Sequence, residues 1–142
     1  MTRPRYEQPG DRANEYAALA RFGARYNVLI GPRIAETGFT VLQDNSGRPV
    51  AYVEVKCRTH NAFKFETLNL SYRKVDHAKR IWQREQLPTL LLVRFTDRVM
   101  VTKLHPRKKD LPTRIWGRDD RGDPEDMELC VEITMGKFTE VL

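Results

Sequence analysis

The chain has 142 residues, of which 40% are hydrophobic, and its 25 Lys and Arg residues outnumber 19 Asp and Glu residues to give a net charge of +6. This length fits one compact domain with a real core, so we expect a single domain over residues 1–142. The charge is uneven, because the segment from Asp119 to Glu128 carries −5 and leaves +11 on the rest. A basic body favours a polyanionic partner, with nucleic acid ahead of an anionic membrane surface.

The cysteine count and the hydropathy pattern exclude other classes. Cys57 and Cys130 stand alone, without a CxxC pair or a second Cys/His cluster, which argues against a zinc site and for a reducing compartment. The sequence begins without an apolar signal segment, and its longest aliphatic run, Leu90 to Val93, is too short to span a bilayer. We therefore expect a cytoplasmic protein with no membrane partner.

The first predicted elements are an arm and a helix. Residues 1–10 are polar with two prolines, so we expect a loose arm. Asp11 can cap a helix that runs to about Tyr26, and Glu15 lies at the margin of its apolar stripe, where a solvated acid and a site residue are both open interpretations. The predicted stripe consists of Tyr16, Leu19, Ala20, Gly23 and Tyr26.

Three strands are predicted next. Residues 28–30 form the first, residues 31–38 a loop, and residues 39–43 the second strand; residues 44–48 then make a hairpin turn into an apolar third strand that ends near Cys57. Since side chains alternate along a strand, Glu54 and Lys56 share one face.

Two interpretations of this acid and amine are open. One is an ion pair at the rim of the sheet, a common and weak feature. The other is a phosphodiesterase centre, in which the carboxylate holds a divalent cation and the lysine stabilises a hydroxide or a pentacovalent phosphate.

A second helix follows a polar, irregular stretch over residues 58–68. Ser71 caps this helix, which reaches about Glu85 and ends before Leu87-Pro88. Its predicted inner face consists of Val75, Ala78, Ile81 and Trp82. Four residues at spacings of four, three and four form a basic stripe that either faces solvent or follows a phosphate backbone: Arg73, His77, Arg80 and Arg84.

The last elements are strands and loops. Residues 89–95 and 98–104 predict a hairpin whose first strand is buried, because Leu90 to Val93 is aliphatic throughout. Residues 105–127 predict a basic and then acidic loop region, followed by an edge strand over 128–134 and a tail. The acidic part, 119–128, is interpreted as a solvated loop, with cation binding or DNA mimicry as alternatives. The order of elements predicts an α/β (α+β) fold with a mixed sheet flanked by helices.

A helix with an acid, a hairpin that ends in Glu54-Val55-Lys56, a basic helix and two further strands resemble the PD-(D/E)XK nuclease superfamily over residues 11–104. The chain looks most like small phage-encoded nucleases and archaeal-type Holliday-junction resolvases. The resemblance implies a restriction-endonuclease-like fold and a DNA endonuclease that uses Mg²⁺ or Mn²⁺, since hard oxygen ligands suit these ions.

The resemblance also implies roles for individual residues. Glu54 matches the family's metal-binding carboxylate, and Lys56 matches the motif lysine. Glu15 matches the glutamate of the first helix, and the backbone carbonyl of Val55 would be a further metal ligand. Arg58 and Lys64, together with the basic stripe, would hold DNA phosphates.

One position departs from the family pattern. The family places an Asp on the strand before Glu54, and the best match, Thr40, has no carboxylate. Asp44 lies on the order of 20 Å from Glu54 at strand rise, so we reject it as a ligand. Glu36 is the predicted substitute.

These matches predict a structure-selective endonuclease that resolves four-way DNA junctions as a homodimer in the cytoplasm, which is the host's if the chain is phage-encoded. The alternatives are a catalytically degenerate nuclease fold that only binds DNA, supported by the missing Asp, and a nuclease directed at RNA.

Overall fold

The computed structural model describes residues 11–104, 113–117 and 127–142. The elements in these ranges are, in chain order, α1 (Asp11–Tyr26), β1 (Leu29–Arg33), β2 (Thr40–Gln43), β3 (Pro49–Cys57), β4 (Thr67–Ser71), α2 (Tyr72–Glu85), β5 (Thr89–Arg94), β6 (Val99–Leu104), β7 (Thr113–Gly117), β8 (Met127–Thr134), a 3-10 turn (Met135–Lys137) and β9 (Thr139–Glu140). The predicted arm, the basic loop after Leu104 and most of the acidic segment lie outside the described residues.

The main sheet has six strands in the order β1-β2-β3-β5-β6-β9. Strands β3 and β5 run parallel at its centre, and the other neighbours are antiparallel. Leu91, Leu92 and Val93 of β5 are fully buried. The aliphatic run of β5 therefore marks an inner strand covered on both faces, as predicted.

Helix α1 covers one face of this sheet with Ala18, Leu19 and Phe22, which pack in one cluster with Val53 and Leu92. The predicted bounds of the helix are confirmed, but its predicted stripe is wrong in part. Tyr16, Ala20 and Tyr26 are exposed, with Tyr16 at 72%, whereas Ala18 and Phe22 are buried instead. The inward face is thus rotated from the predicted one, so that the tyrosine hydroxyls reach water.

Helix α2 covers the opposite face. Its Ile81 packs with Phe39, Val41 and Tyr52, and Ala78 is buried beside the second sheet. The predicted cap is confirmed, since Ser71 Oγ accepts a hydrogen bond of 3.3 Å from the amide of Arg73.

A second sheet of three strands, in the order β4-β8-β7, was not predicted. Strand β8 is its centre, so the prediction of an edge strand over 128–134 is wrong. Strand β7 falls inside the predicted loop region over 105–127 and pairs with β8. Strand β4 buries Leu68 and Leu70 in alternation, a period-two signal hidden at the end of a polar stretch.

The architecture is therefore a mixed sheet with a helix on each face, as the sequence predicts, and the fold is restriction-endonuclease-like. Within the described ranges neither helix is both long and apolar enough to cross a membrane.

Candidate active site

The end of β3 opens into a cavity of about 480 Å³. Glu54 and Lys56 both line it, as expected for two positions on one face of a strand. Glu54 is buried at 8% exposure, and Lys56 is half-buried. The acid and the amine therefore reach the same space instead of pointing apart.

Other elements complete the walls of this cavity. The lining residues are 54–57 of β3, Arg58 directly after β3, Glu15 of α1, Arg33 of β1, Thr40 of β2 and Lys74 of α2. The loop before β2 adds Ala35, Glu36, Thr37 and Gly38. The predicted residues Glu15, Glu36 and Val55 thus lie around one space with the motif pair. Within the described ranges, no three His, Cys, Asp or Glu side chains are close enough to form a metal cluster.

Lys74 makes a charged contact with Glu54 and was missed by the sequence analysis. Its Nζ lies 3.1 Å from Oε2 of Glu54 and donates a 2.5 Å hydrogen bond to the carbonyl of Thr37. The contact with Glu54 lacks hydrogen-bond geometry, so among the described residues Oε2 is a buried oxygen without a hydrogen-bond partner. A buried carboxylate oxygen of this kind has capacity for a further cation.

The loop between β1 and β2 is shaped around Lys74. Gly38 has a φ of 77°, and a Cβ there would lie 2.8 Å from Nζ of Lys74. The amide of Gly38 donates to the carbonyl of Ile34 at 2.7 Å, and the amide of Phe39 donates to Thr37 Oγ1 at 3.1 Å. Glycine at position 38 therefore permits both the left-handed backbone and the approach of the ammonium group.

Thr40, the predicted match to the family Asp, is buried and lies opposite Val53 in the β2–β3 ladder. Asp44 is held in the hairpin turn, where its Oδ1 accepts hydrogen bonds from Ser46 and Arg48. The hydrogen bond from the Ser46 hydroxyl is the largest cause of the lowered pKa of Asp44. Glu36 is exposed in the loop that lines the cavity.

The predicted DNA-binding residues are not all in one place. Arg58 lines the cavity with Glu54, and burial lowers its pKa. Lys64 lines a separate cavity beyond the end of β3.

The four residues of the basic stripe on α2 differ in their exposure and in their partners. Arg80 pairs with Asp76 and Arg84 with Glu85, each at 3.1 Å, and Arg73 is exposed. His77 is half-buried with its ring edge-on to Phe39, at 6.3 Å between ring centroids. Burial is the first cause of the lowered pKa of His77, and the charge of Lys74 is the second.

Helical spacing could have identified Lys74. It precedes the buried residues Ala78 and Ile81 by four and seven positions, which places it on the inner face of α2. A lysine on an inner face needs an acidic partner, and the buried Glu54 is that partner.

A protein-family model described as "Phage putative PDDEXK endonuclease" matches residues 1–141. The chain belongs to this family of phage endonucleases. The chain is a nuclease by family, which implies DNA as its substrate. No curated protein and no solved structure matches the chain.

Proposed function

We propose that this protein is a divalent-metal-dependent endonuclease that cleaves branched DNA, with the four-way junction as its preferred substrate. The supporting observation is the convergence of Glu54, Lys56 and Lys74 on one cavity of a basic chain. A DNA substrate in a host cell would put its action in the cytoplasm.

The residues around the cavity fit a hard cation. Glu54 offers a buried oxygen without a hydrogen-bond partner among the described residues, and the carbonyl of Val55 and the carboxylate of Glu36 would complete the site for Mg²⁺ or Mn²⁺. Glu15 would bind a second ion or its water shell. The chemistry supplied by a bound divalent cation is Lewis acidity toward the phosphate and acidification of water.

The two lysines have different roles in this mechanism. Lys56 lies one strand step from the acid on the same face, where it would steer the attacking water and favour loss of the water's proton to solvent by stabilising the hydroxide with its positive charge. Lys74 fixes the Glu54 carboxylate and offsets its charge, and Thr37 holds Lys74 in turn. Lys74 is therefore a positioning residue in this proposal.

Basic side chains would hold the DNA through its phosphates. Such contacts carry no sequence information, so selectivity would follow the shape of the substrate. A symmetric homodimer suits a junction, because two strands must be cut. The residues assigned to this task are Arg58, Lys64, Arg73, His77, Arg80 and Arg84.

The test is cleavage of a four-way junction and of a linear duplex with Mg²⁺ by the wild type, Glu54→Gln and Lys56→Ala. We expect junction cleavage by the wild type, a loss of at least about 100-fold in either variant, and retained binding in all three. Mn²⁺ and EDTA arms test the metal, and RNA competitors test the substrate class.

A second candidate function is DNA binding without cleavage. It is favoured by Thr40, which leaves the family Asp position without a carboxylate, and by the ammonium group beside Glu54. Junction binding by all three proteins with no cleavage by any of them would select this function.

A further inference from the structure

The loop that connects β3 to β4, residues 58–66, carries two exposed aromatic rings. Phe63 is 58% exposed and Phe65 is 53% exposed, whereas Phe22, Phe39 and Phe95 are buried. Two exposed phenylalanine side chains, two positions apart in one loop, present apolar surface to solvent, and clusters of such surface in soluble proteins mark interaction sites. We call Phe63 and Phe65 the aromatic platform.

A cation lies over one face of each ring of the aromatic platform. Nζ of Lys64 lies 5.4 Å from the centroid of Phe65, and Cζ of Arg98 lies 5.3 Å from the centroid of Phe63. Arg98 also pairs with Asp97 at 3.0 Å and with Glu140 at 3.5 Å, which fixes its guanidinium group. A ring with a positive charge over one face matches a nucleotide, because a base can stack on the opposite face while its phosphate meets the cation.

The loop is held in place by the turn between β5 and β6. The amide of Ala62 donates to Asp97 Oδ1 at 2.9 Å, and the hydroxyl of Thr96 donates to Asn61 Oδ1 at 2.7 Å. His60 lies edge-on to Phe65 at 5.0 Å between centroids. Rings that are already positioned lose little conformational freedom when a ligand binds.

The loop and the turn line an open cavity of about 680 Å³. Thr59 lines this cavity and Arg58 lines the active-site cavity, so consecutive residues of the chain line the two cavities. A strand of DNA that enters the active-site cavity can therefore continue toward the aromatic platform.

We propose that the aromatic platform binds unpaired DNA bases by stacking, at the branch point or single-stranded end next to the scissile phosphate. The ammonium group of Lys64 over Phe65 favours a nucleic acid over an apolar protein surface. The location next to a scissile phosphate rests on the proposed endonuclease function, whereas base binding itself does not.

The test measures DNA binding in EDTA, where metal-dependent cleavage is absent. Three labelled DNAs are compared by anisotropy: a duplex, the same duplex with a three-nucleotide bulge, and oligothymidine. Phe63→Ala and Phe65→Ala are each expected to weaken binding of the bulge and of oligothymidine at least about five-fold and to leave duplex binding unchanged, since stacking contributes about 1 kcal/mol or more per base. Stacking in the wild-type complex is expected to quench the fluorescence of 2-aminopurine placed in the bulge, and this fluorescence is expected to recover in the two alanine variants.

Two variants serve as controls. Phe65→Trp keeps an aromatic face and is expected to retain binding. Tyr26→Ala removes another ring that has a cation over it, since Cζ of Arg25 lies 5.1 Å from the ring centroid of Tyr26. Tyr26 lies about 16 Å along α1 from Glu15, so this variant is expected to change none of the affinities. Thermal unfolding of each variant checks that the fold is intact.

Unchanged affinity for unpaired DNA in both alanine variants would overturn the proposal, and so would an equal loss on duplex DNA. A dimer in the wild type that becomes a monomer in the variants, with unchanged affinity for unpaired bases, would identify the aromatic platform as a protein interface. Selective loss of binding together with a wild type that cuts no DNA would support the aromatic platform and reject the proposed endonuclease function.

Discussion

At the scale of single residues, the candidate site depends on one buried acid and one unanticipated lysine. Glu54 could be predicted from its strand, because an acid in an apolar strand breaks the pattern. The contact with Lys74 could not be read from the strand alone, since it joins residues twenty positions apart on different elements. The absence of an acid at Thr40 was visible in the sequence, but its position opposite Val53 depends on a shift of register in the hairpin.

Replacement of Lys74 by Met tests its role toward Glu54. The change leaves a buried carboxylate without its ion-pair partner, so we expect the free energy of unfolding to fall by about 1–2 kcal/mol, below the value for a fully buried pair because Lys74 is partly exposed. Urea unfolding measures this change. Glu54→Gln combined with Lys74→Met is expected to recover much of the loss, and a purely additive double variant would contradict the pairing.

Lys74→Met also tests whether a divalent cation that binds at Glu54 stabilises the protein. Mg²⁺ is expected to raise the melting temperature of Lys74→Met more than that of the wild type, because the cation takes over the charge of the missing ammonium group. An equal shift in both proteins, or a shift that persists in Glu54→Gln, would place the bound ion elsewhere.

Gly38 allows a matched pair of glycine variants. Gly38→Ala introduces a side chain at a φ of 77° and a contact of 2.8 Å with Lys74, whereas Gly47→Ala meets the same backbone cost at a φ of 84° with no heavy atom within 4 Å. We expect both to lose about 1–2 kcal/mol of stability from the left-handed backbone and only Gly38→Ala to lose cleavage activity. Equal activity in the two variants would show that the loop does not position Lys74.

At the scale of elements, the sequence predicted the two helices and the hairpins well, because their caps and turns are local. Ser71 and the turn at residues 44–48 are signals of this kind. The second sheet was missed because its strands come from distant segments, and β4 follows a polar stretch that hides its two buried leucines. Pairing between distant strands is not encoded in any local pattern.

Strand β3 and helix α2 are joined by a hydrogen bond whose strength depends on pH. The Tyr52 hydroxyl donates to Glu85 at 2.6 Å; burial, followed by this bond, raises the pKa of Tyr52 to about 12. A raised pKa in the folded state adds stability that is complete below pH 10 and is lost as the pH rises toward 12. Urea unfolding at pH 9 and pH 11.5 is expected to show a larger loss in the wild type than in Tyr52→Phe, and equal losses would contradict the linkage.

At the scale of the whole molecule, the fold class followed from composition and element order, whereas the distribution of charge did not. The basic stripe is interrupted by the ion pairs of Arg80 and Arg84, and His77 packs on Phe39. Arg73, in the first turn of the stripe, is exposed and is a candidate contact for a DNA phosphate.

The salt dependence of DNA binding tests this distribution. Affinity is expected to fall linearly with salt on logarithmic axes, and Arg73→Gln is expected to reduce the slope by about 0.9 on junction and duplex alike. Arg48→Gln, in the exposed hairpin turn, is the control and is expected to leave the slope unchanged. A change of slope with the junction but not with the duplex would mean that Arg73 contacts a phosphate present only in the branched DNA.

The parallel pairing of β3 with β5 determines when the candidate active site can form during synthesis of the chain. Tyr52 lies beside Thr89 in this ladder, so the two inner strands can join only after the intervening segment, with β4 and α2, has been synthesised and has crossed over. Since Lys74 arrives on that same segment, a ribosome-bound chain that ends before it holds the acid without its partner. The candidate active site is therefore complete only after α2 and β5 have been synthesised, and incomplete chains are expected not to cleave the DNA around them.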